Sequence, residues 1–270
     1  MDNSRTGSMR MVGAVCVMLA LALVAAFGMA AAVPQSAQAA GKVKVWVLDS
    51  TTTKTDGYKL VEKIGYTGAG LVKSVKQTSS SSAGSSTYTE LYGYNANKTF
   101  KSYKLKTNGK LAMTSTLDKN GAGYVTKINM KPVGSSGKTV VSYTYNKKGR
   151  PETIETKTWS GTCTYNSKGY LKTMIVKPSK GDKVKYTYAY DGKGMLKVLR
   201  YDGEVNTKYA NSYKNNRLIK RVAKNADGYK LNTQTYKYRQ ISVSKSLVKY
   251  VKAQQRVLLT DTNDIINTHK

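Results

Sequence analysis

The residues that could carry chemistry are few. His269 is the single histidine and stands one position from the C-terminus, where a chain end lacks the packing that orients a catalytic base. Cys16 falls in an N-terminal apolar run, and Cys163 stands where neighbouring repeats place tyrosine, without a histidine near it to make a thiolate. Metal binding needs clustered His, Cys, Asp or Glu, and the 15 acidic residues are scattered. Glu152 and Glu155 lie close in sequence, but their spacing suits a strand bearing ion partners for lysine; nothing marks them as a glycosidase pair. Gly68-Ala69-Gly70 and Gly121-Ala122-Gly123 are glycine-rich without a helix to follow, so turn chemistry explains them better than a phosphate cradle. The expectation is a non-enzyme with no catalytic residue, cofactor or metal.

Charge is the other resource. The chain carries 45 Lys and Arg against 15 Asp and Glu, a formal net charge of +30. Most of the cations are lysines, spread along the whole length. Such an excess costs self-repulsion and favours anionic neighbours such as wall polymers, lipopolysaccharide, nucleic acid or acidic membrane surfaces. Lysine also serves as a plain solubility coat and protects sheet edges. Lys98, Lys119, Lys147, Lys148, Lys168, Lys193 and Lys214 recur at equivalent positions of a repeat, and are the candidate contacts to an anionic cell-envelope polymer or polysaccharide. No feature points to specific nucleic-acid recognition.

Those lysines are positioned by a repeat that the composition betrays: 21 Tyr and 23 Gly against 2 Phe. One unit reads Tyr143-Thr144-Tyr145-Asn146-Lys147-Lys148-Gly149, then Pro151 and Ile154. The next reads Cys163-Thr164-Tyr165-Asn166-Ser167-Lys168-Gly169, then Leu171 and Met174. A third reads Tyr188-Ala189-Tyr190-Asp191-Gly192-Lys193-Gly194, then Leu196 and Leu199. Glycine falls four positions after the second tyrosine, and apolar residues fall six and nine after it. Weaker copies include Tyr92-Gly93-Tyr94-Asn95-Ala96-Asn97-Lys98, with lysine in the glycine's place, Leu117-Asp118-Lys119-Asn120-Gly121, and Tyr213-Lys214-Asn215-Asn216, one residue short. Asp56-Gly57-Tyr58-Lys59-Leu60 is echoed by Asp227-Gly228-Tyr229-Lys230-Leu231 near the other end.

Each unit reads as a β-hairpin. Alternation along Val184-Lys185-Tyr186-Thr187-Tyr188-Ala189-Tyr190 puts the tyrosines on one face of a strand. Asn146 can bond the backbone two residues on, and Gly149 supplies the left-handed corner of a bulged turn. The fold expected is all-β: an antiparallel meander of repeated hairpins, as an open curved sheet or partial barrel, with its tyrosines packed across strands.

The pattern Tyr-Asn/Asp-x-x-Gly-x-Leu resembles the tyrosine-aspartate (YD, Rhs-like) repeats of secreted bacterial surface proteins, over residues 58–243. The resemblance implies an extended or shell-like antiparallel sheet outside the cell. Asparagine mostly replaces aspartate, Tyr190-Asp191 being the literal copy. Neither an autocleavage core nor a toxin domain is present, so a short stand-alone member is the closer likeness.

Arg5 and Arg10, an apolar run over residues 11–33, Pro34 and the Ala37-Gln38-Ala39 site form a secretory leader over residues 1–39. Cleavage after Ala39 takes Arg5, Arg10 and Asp2 from the totals and leaves +29. The run is also long enough for an uncleaved anchor, the one membrane contact expected. Either way the remainder is exported to the envelope or beyond. Cys163 then remains alone, so no internal disulfide can form.

Residues 41–243 form the repeat domain, opened by a strand in which Val43, Val45 and Val47 alternate. The serine-rich stretch 78–86 is expected to be a flexible loop. In residues 244–260 a helical stripe of Leu247, Tyr250, Val251, Gln254 and Leu258 follows Ser246, a plausible cap, and suggests a helix over an end or face of the sheet; a last strand is the alternative. Residues 261–270 read as a flexible tail. The expected function is a structural or adhesive module of the envelope. A carrier holding a lipid-like ligand on a concave sheet ranks second, and an envelope hydrolase third.

Overall fold

The computed structural model describes residues 41–259; the leader, the tail 261–270 and His269 lie outside the described residues. Sixteen strands follow in order: β1 (Lys42–Thr55), β2 (Tyr58–Tyr66), β3 (Val72–Ser81), β4 (Gly84–Tyr94), β5 (Phe100–Thr107), β6 (Lys110–Lys119), β7 (Val125–Pro132) and β8 (Thr139–Tyr145). Then come β9 (Pro151–Glu155), β10 (Trp159–Tyr165), β11 (Leu171–Pro178), β12 (Val184–Tyr190), β13 (Leu196–Tyr201), β14 (Glu204–Lys214), β15 (Arg217–Lys224) and β16 (Lys230–Ser244). Each pairs antiparallel with the next, and β1 pairs with β16 from Lys42↔Ser244 to Lys54↔Thr233, closing a barrel. A 3₁₀ turn (Lys245–Leu247) and one helix, α1 (Val248–Leu259), follow. Turns out of even-numbered strands share one end of an antiparallel barrel. The chain leaves β16 there too, so that end is the helix rim.

Each repeat unit builds a corner on this rim. In the β8–β9 turn the Asn146 carbonyl accepts from the Gly149 amide at 2.8 Å, and the Asn146 side chain accepts from the amides of Lys148 (3.0 Å) and Arg150 (3.2 Å). Gly149 sits at φ +69°, and the register slips at Thr144/Tyr145, the signature of a bulged hairpin. Asn166 and Asp191 repeat the arrangement in the β10–β11 and β12–β13 turns. The shortened unit at Asn215-Asn216 closes instead with two left-handed residues, φ 49° and 59°, a two-residue hairpin turn.

Between corners, adjacent hairpins splay. The β11–β12 ladder starts at Thr173↔Thr187, two residues inside β11, and the β7–β8 ladder starts at Lys127↔Ser142, likewise two residues in. The carbonyl left over at the rim is taken by the second tyrosine of the unit. Tyr190 Oη donates to the Leu171 carbonyl (2.8 Å), Tyr165 to Pro151 (2.7 Å), Tyr145 to Val125 (2.6 Å), Tyr94 to Val72 (2.7 Å) and Tyr238 to Leu218 (2.9 Å). Tyr66 does the same for Leu48 across β1 and β2. Two units substitute. Lys119, standing where the tyrosine should be, donates its ammonium to the Phe100 carbonyl. In β14, Asn211 Nδ2 serves Leu196 at 2.9 Å while Tyr213 donates to the Asp191 carboxylate. A tyrosine is long enough to cross the gap and aromatic enough to fill it.

Inward positions form the core. Tyr186 and Leu199 are 0 % exposed, Tyr103 and Ile128 1 %. One apolar cluster is built mainly from β2 to β8, a second from β10 to β15, and a third, with Val47, Leu71, Val243 and Val251, seats the helix. The outer wall alternates the opposite way: Lys76, Lys104 and Lys208 are exposed between two buried neighbours, and Lys63, Lys127 and Lys224 are exposed beside one. A barrel in lipid needs an outward apolar band about 25 Å tall; this wall is built to face water. Lys63 even stands directly opposite Lys76, and Lys208 opposite Lys224, pairings that cost stability through like-charge repulsion.

Two expectations are corrected. The serine tract is not a flexible loop: it continues β3 and β4, with Ser79↔Ser86 and Ser80↔Ser85 paired and the Ser79 and Ser86 hydroxyls 2.7 Å apart. Pairing along a fixed neighbour outweighs the poor strand propensity of serine. Ser246 is not a cap either, because it lies within the 3₁₀ turn and α1 starts at Val248.

The corner predicts a sharp contrast inside one turn. Gly194 sits at φ +79°, and a Cβ there would lie 2.4 Å from Tyr170 Oη, whereas a Cβ on Gly192 meets nothing within 4 Å. Gly194→Ala is expected to lower unfolding stability by about 2 kcal/mol or more and Gly192→Ala by less than about 0.5 kcal/mol. Urea denaturation of the two variants checks this, and equal effects contradict the corner geometry.

Candidate functional site

All seven of the repeat lysines fall on the helix rim, one or two per corner. Lys147, Lys148, Lys168 and Lys214 are exposed in or beside the β8–β9, β10–β11 and β14–β15 turns. Lys98, in the place of a corner glycine, takes φ 66° to keep the turn. Lys193 donates to Asn216 Oδ1 at 2.9 Å and lies 4.5 Å from the Tyr213 ring, tying two corners together. Lys119 differs in kind. Its ammonium replaces a tyrosine hydroxyl in the rim bonds, and burial holds its pKa below the usual lysine value. It belongs to the wall's structure first.

The helix lies on this rim by the same logic that sets the tyrosines. Where the first two hairpins splay, backbone amides are left over as well as carbonyls. Gln255 Oε1 accepts from the Leu48 amide at 2.5 Å, and Gln254 Oε1 from the Val72 amide at 2.9 Å. Their Nε2 groups donate back to Tyr66 Oη (3.1 Å) and Tyr94 Oη (3.2 Å). Burial raises the pKa of both tyrosines, with Gln255 and Gln254 opposing the shift, so they remain protonated donors at neutral pH. At the far end the Leu259 carbonyl accepts from Arg221 Nη2 at 3.3 Å. Arg221 is 1 % exposed, held by Asn211 Oδ1 at 3.1 Å and placed between the rings of Tyr209 and Tyr236.

The helix face turned away from the barrel carries Lys249, Lys252 and Arg256, all exposed. Arg256 stacks its guanidinium 3.6 Å from the centre of the Tyr170 ring, joining the helix to the rim. These three cations were not singled out from sequence, although the buried stripe through Val251 and Gln254 leaves them on the opposite face by periodicity alone. Among the turns of the helix rim, Asp191 is the acid, and its oxygens are already committed to Tyr213, Asn211 and the amides of Lys193 and Met195. Burial pushes its pKa up, but those four hydrogen bonds outweigh burial and hold it below the usual carboxylate value. Turns at the opposite rim carry Asp56, Asp182, Asp202 and Asp227.

The candidates for chemistry are placed elsewhere. Cys163 is buried, and burial pushes its thiol up to about 11, which removes the thiolate a nucleophile would need. Glu152 and Glu155 are exposed on β9. Among the described residues no three His, Cys, Asp or Glu side chains group as metal ligands, and no helix is long and apolar enough to cross a membrane.

No protein-family model and no curated protein matches the sequence. Solved structures do. The chain is similar to a porin-like protein from Bacteroides uniformis, with a TM-score of 0.52 and 13% identity, over 71% of this chain and 98% of that one. At this identity the likeness shows a shared barrel fold. The TcdB2-TccC3 structures align at TM-scores of 0.32 and 0.34, with 16% and 15% identity, over 60% and 67% of this chain but only 9% and 10% of theirs.

One interior group has a consequence for stability. Glu90 is 0 % exposed; its Oε2 accepts from Tyr92 Oη, while Oε1 has no hydrogen-bond partner among the described residues. Burial raises its pKa to about 8, the Tyr92 bond opposes that shift, and the Glu62 charge adds to it. A carboxyl with a folded pKa above its unfolded value stabilises fully below about pH 4.5, and that stabilisation is lost as pH rises to about 8. Glu90→Gln, which keeps the neutral shape, is expected to gain on the parent chain by a few kcal/mol between about pH 5 and pH 8.5. Denaturation of both chains across that range checks it; a difference independent of pH refutes it.

Proposed function

We propose that this chain is an exported, non-catalytic β-repeat barrel of the cell envelope, a short relative of the YD-repeat proteins, whose helix rim holds an anionic polymer in a structural or adhesive role. The observation that carries the reading is the asymmetry of the two ends. The helix rim presents a lysine at corner after corner plus the cations of α1, and the oxygens of its one turn acid, Asp191, are taken up by hydrogen bonds from Tyr213, Asn211 and the amides of Lys193 and Met195. The opposite rim mixes Lys138, Lys157 and Lys180 with aspartates. A face of one sign concentrates polyanions and releases them as salt rises. The leader-like N-terminus and the water-facing wall support export without insertion in a bilayer. A carrier needs a contiguous apolar cavity, and the inward tyrosines that fill the core weigh against that reading.

Two variants of equal charge test it on a heparin-like resin. Replacing Lys147, Lys148, Lys168 and Lys214 by glutamine is expected to lower the eluting salt and to weaken affinity on the order of tenfold or more near 0.1 M salt. Replacing Lys138, Lys157, Lys180 and Lys183 at the opposite rim is expected to have a small effect. Equal shifts would reduce the interaction to net charge and refute a site.

A further inference from the structure

We infer that the free ends of β1 and β16 form a docking edge, and that its partner is an extended segment of another protein in which acidic and apolar residues alternate, added to β1 as one further strand. The edge is a matter of main-chain bonding and does not depend on a polyanion at the helix rim. β2 pairs with β1 only between Ser50 and Thr55, and β15 pairs with β16 only between Lys230 and Thr235. From Lys42 to Leu48, β1 therefore has β16 as its single strand neighbour. The two make a ribbon that continues past the closed wall.

The hydrogen bonds at both ends of this ribbon set the direction of its backbone groups. The Leu48 amide donates to Gln255 Oε1 at 2.5 Å and the Leu48 carbonyl accepts from Tyr66 Oη, so Leu48 turns both groups away from β16. At the other end the Lys245 amide donates to the Gly41 carbonyl at 3.1 Å, so Gly41 turns toward β16. Bonded and non-bonded pairs alternate along an antiparallel ladder, and both ends give the same parity. Val43, Val45 and Val47 bond to β16, while Lys42, Lys44 and Trp46 present their amides and carbonyls to the open side. Among the described residues no hydrogen bond reaches those groups. An unpaired row of this kind is a template for a strand.

Side chains define the partner. Lys42, Lys44 and Trp46 share one face of the ribbon and are exposed, Trp46 by 47 %, with the Arg217 guanidinium 4.1 Å from its ring centre. Val43 and Val45, on the other face, are half-buried, and Val45 packs on the cluster of Val47, Val243 and Leu247 that seats the helix. A strand laid beside β1 sends alternate residues to the two faces. Acids on one face meet Lys42 and Lys44, and apolar side chains on the other extend the valine row. A second copy of this chain fits poorly, because the fullest antiparallel overlap of two β1 edges sets Lys44 opposite Lys44.

Calorimetric titration of the full-length chain with a short peptide alternating glutamate and valine tests this. The peptide is expected to bind about fivefold or more tightly than one of the same composition with its glutamates in a single block. N-methylation of its glutamate amides, which would face β1, is expected to abolish binding, and N-methylation of its valine amides to spare it. Lys44→Pro deletes an amide that bonds nothing in the barrel, and is expected to weaken binding about tenfold or more with a melting temperature within about 2 °C of the parent. Lys44→Gln, which keeps the amide, is expected to weaken it only about threefold. Equal binding of the blocked or glutamate-methylated peptide to the parent chain overturns strand addition, and charge alone then explains the affinity. Full binding by Lys44→Pro overturns the assignment to β1. Self-association in sedimentation that the alternating peptide disperses overturns the choice of partner, the occupant then being a second copy. No binding of the alternating peptide overturns the docking edge itself.

Discussion

A barrel of hairpins with bulged corners has a gap between each hairpin and the next, and the gap must be satisfied. The backbone ladder stops short of the helix rim, leaving a carbonyl with no strand partner, and a buried carbonyl left unmade costs about 1–3 kcal/mol. A tyrosine hydroxyl answers that constraint at six of the eight gaps, to Leu48, Val72, Val125, Pro151, Leu171 and Leu218, and Asn211 answers it for Leu196. Everything distinctive about the rim follows: the tyrosine before the asparagine, the glycine that gives the asparagine its turn, and the residue after the glycine that packs on the next corner. Where the tyrosine is missing, as at Lys119, another donor occupies its place and reaches the same carbonyl.

The same gaps locate the helix. Gln254 and Gln255 accept from the amides of Val72 and Leu48 and donate to Tyr94 and Tyr66, so α1 is registered on two hairpins at once. Polarity then divides the molecule. Tyrosine and aliphatic side chains fill the inside, lysine, threonine and serine cover the outside, and charge of one sign gathers at the end the helix covers. The wall is therefore inverted relative to a barrel that lives in lipid, and the likeness to a porin-like protein is one of topology.

Much of the fold was legible because the repeat is local. Alternation in the segment around Tyr186 and Tyr188, the Asn146 turn and the Gly149 corner each depend on residues within one hairpin, and the structure has them as expected. Closure was not legible, since it depends on β1 meeting β16 some two hundred residues away in sequence, and the alternation of Val43, Val45 and Val47 is the same in an open sheet. The serine tract misled because its strand character comes from its neighbour, not from serine. Lys119 was read by position as a rim cation, when its alignment with Tyr145 and Tyr165 marked it as a substitute for the bridging tyrosine. Glu90 and Arg221 gave no signal, as their burial is a property of the closed barrel.

The rim depends on the bridging hydroxyl, and removing a single oxygen tests that dependence. Tyr190→Phe keeps the ring in the gap and deletes only the bond to Leu171, while Tyr229→Phe removes a hydroxyl from a side chain that is 74 % exposed. Measured by urea denaturation, the first substitution should cost about 1–3 kcal/mol and the second almost nothing. If the two variants are equally stable, the tyrosines are ring fillers and their hydroxyls do not hold the rim.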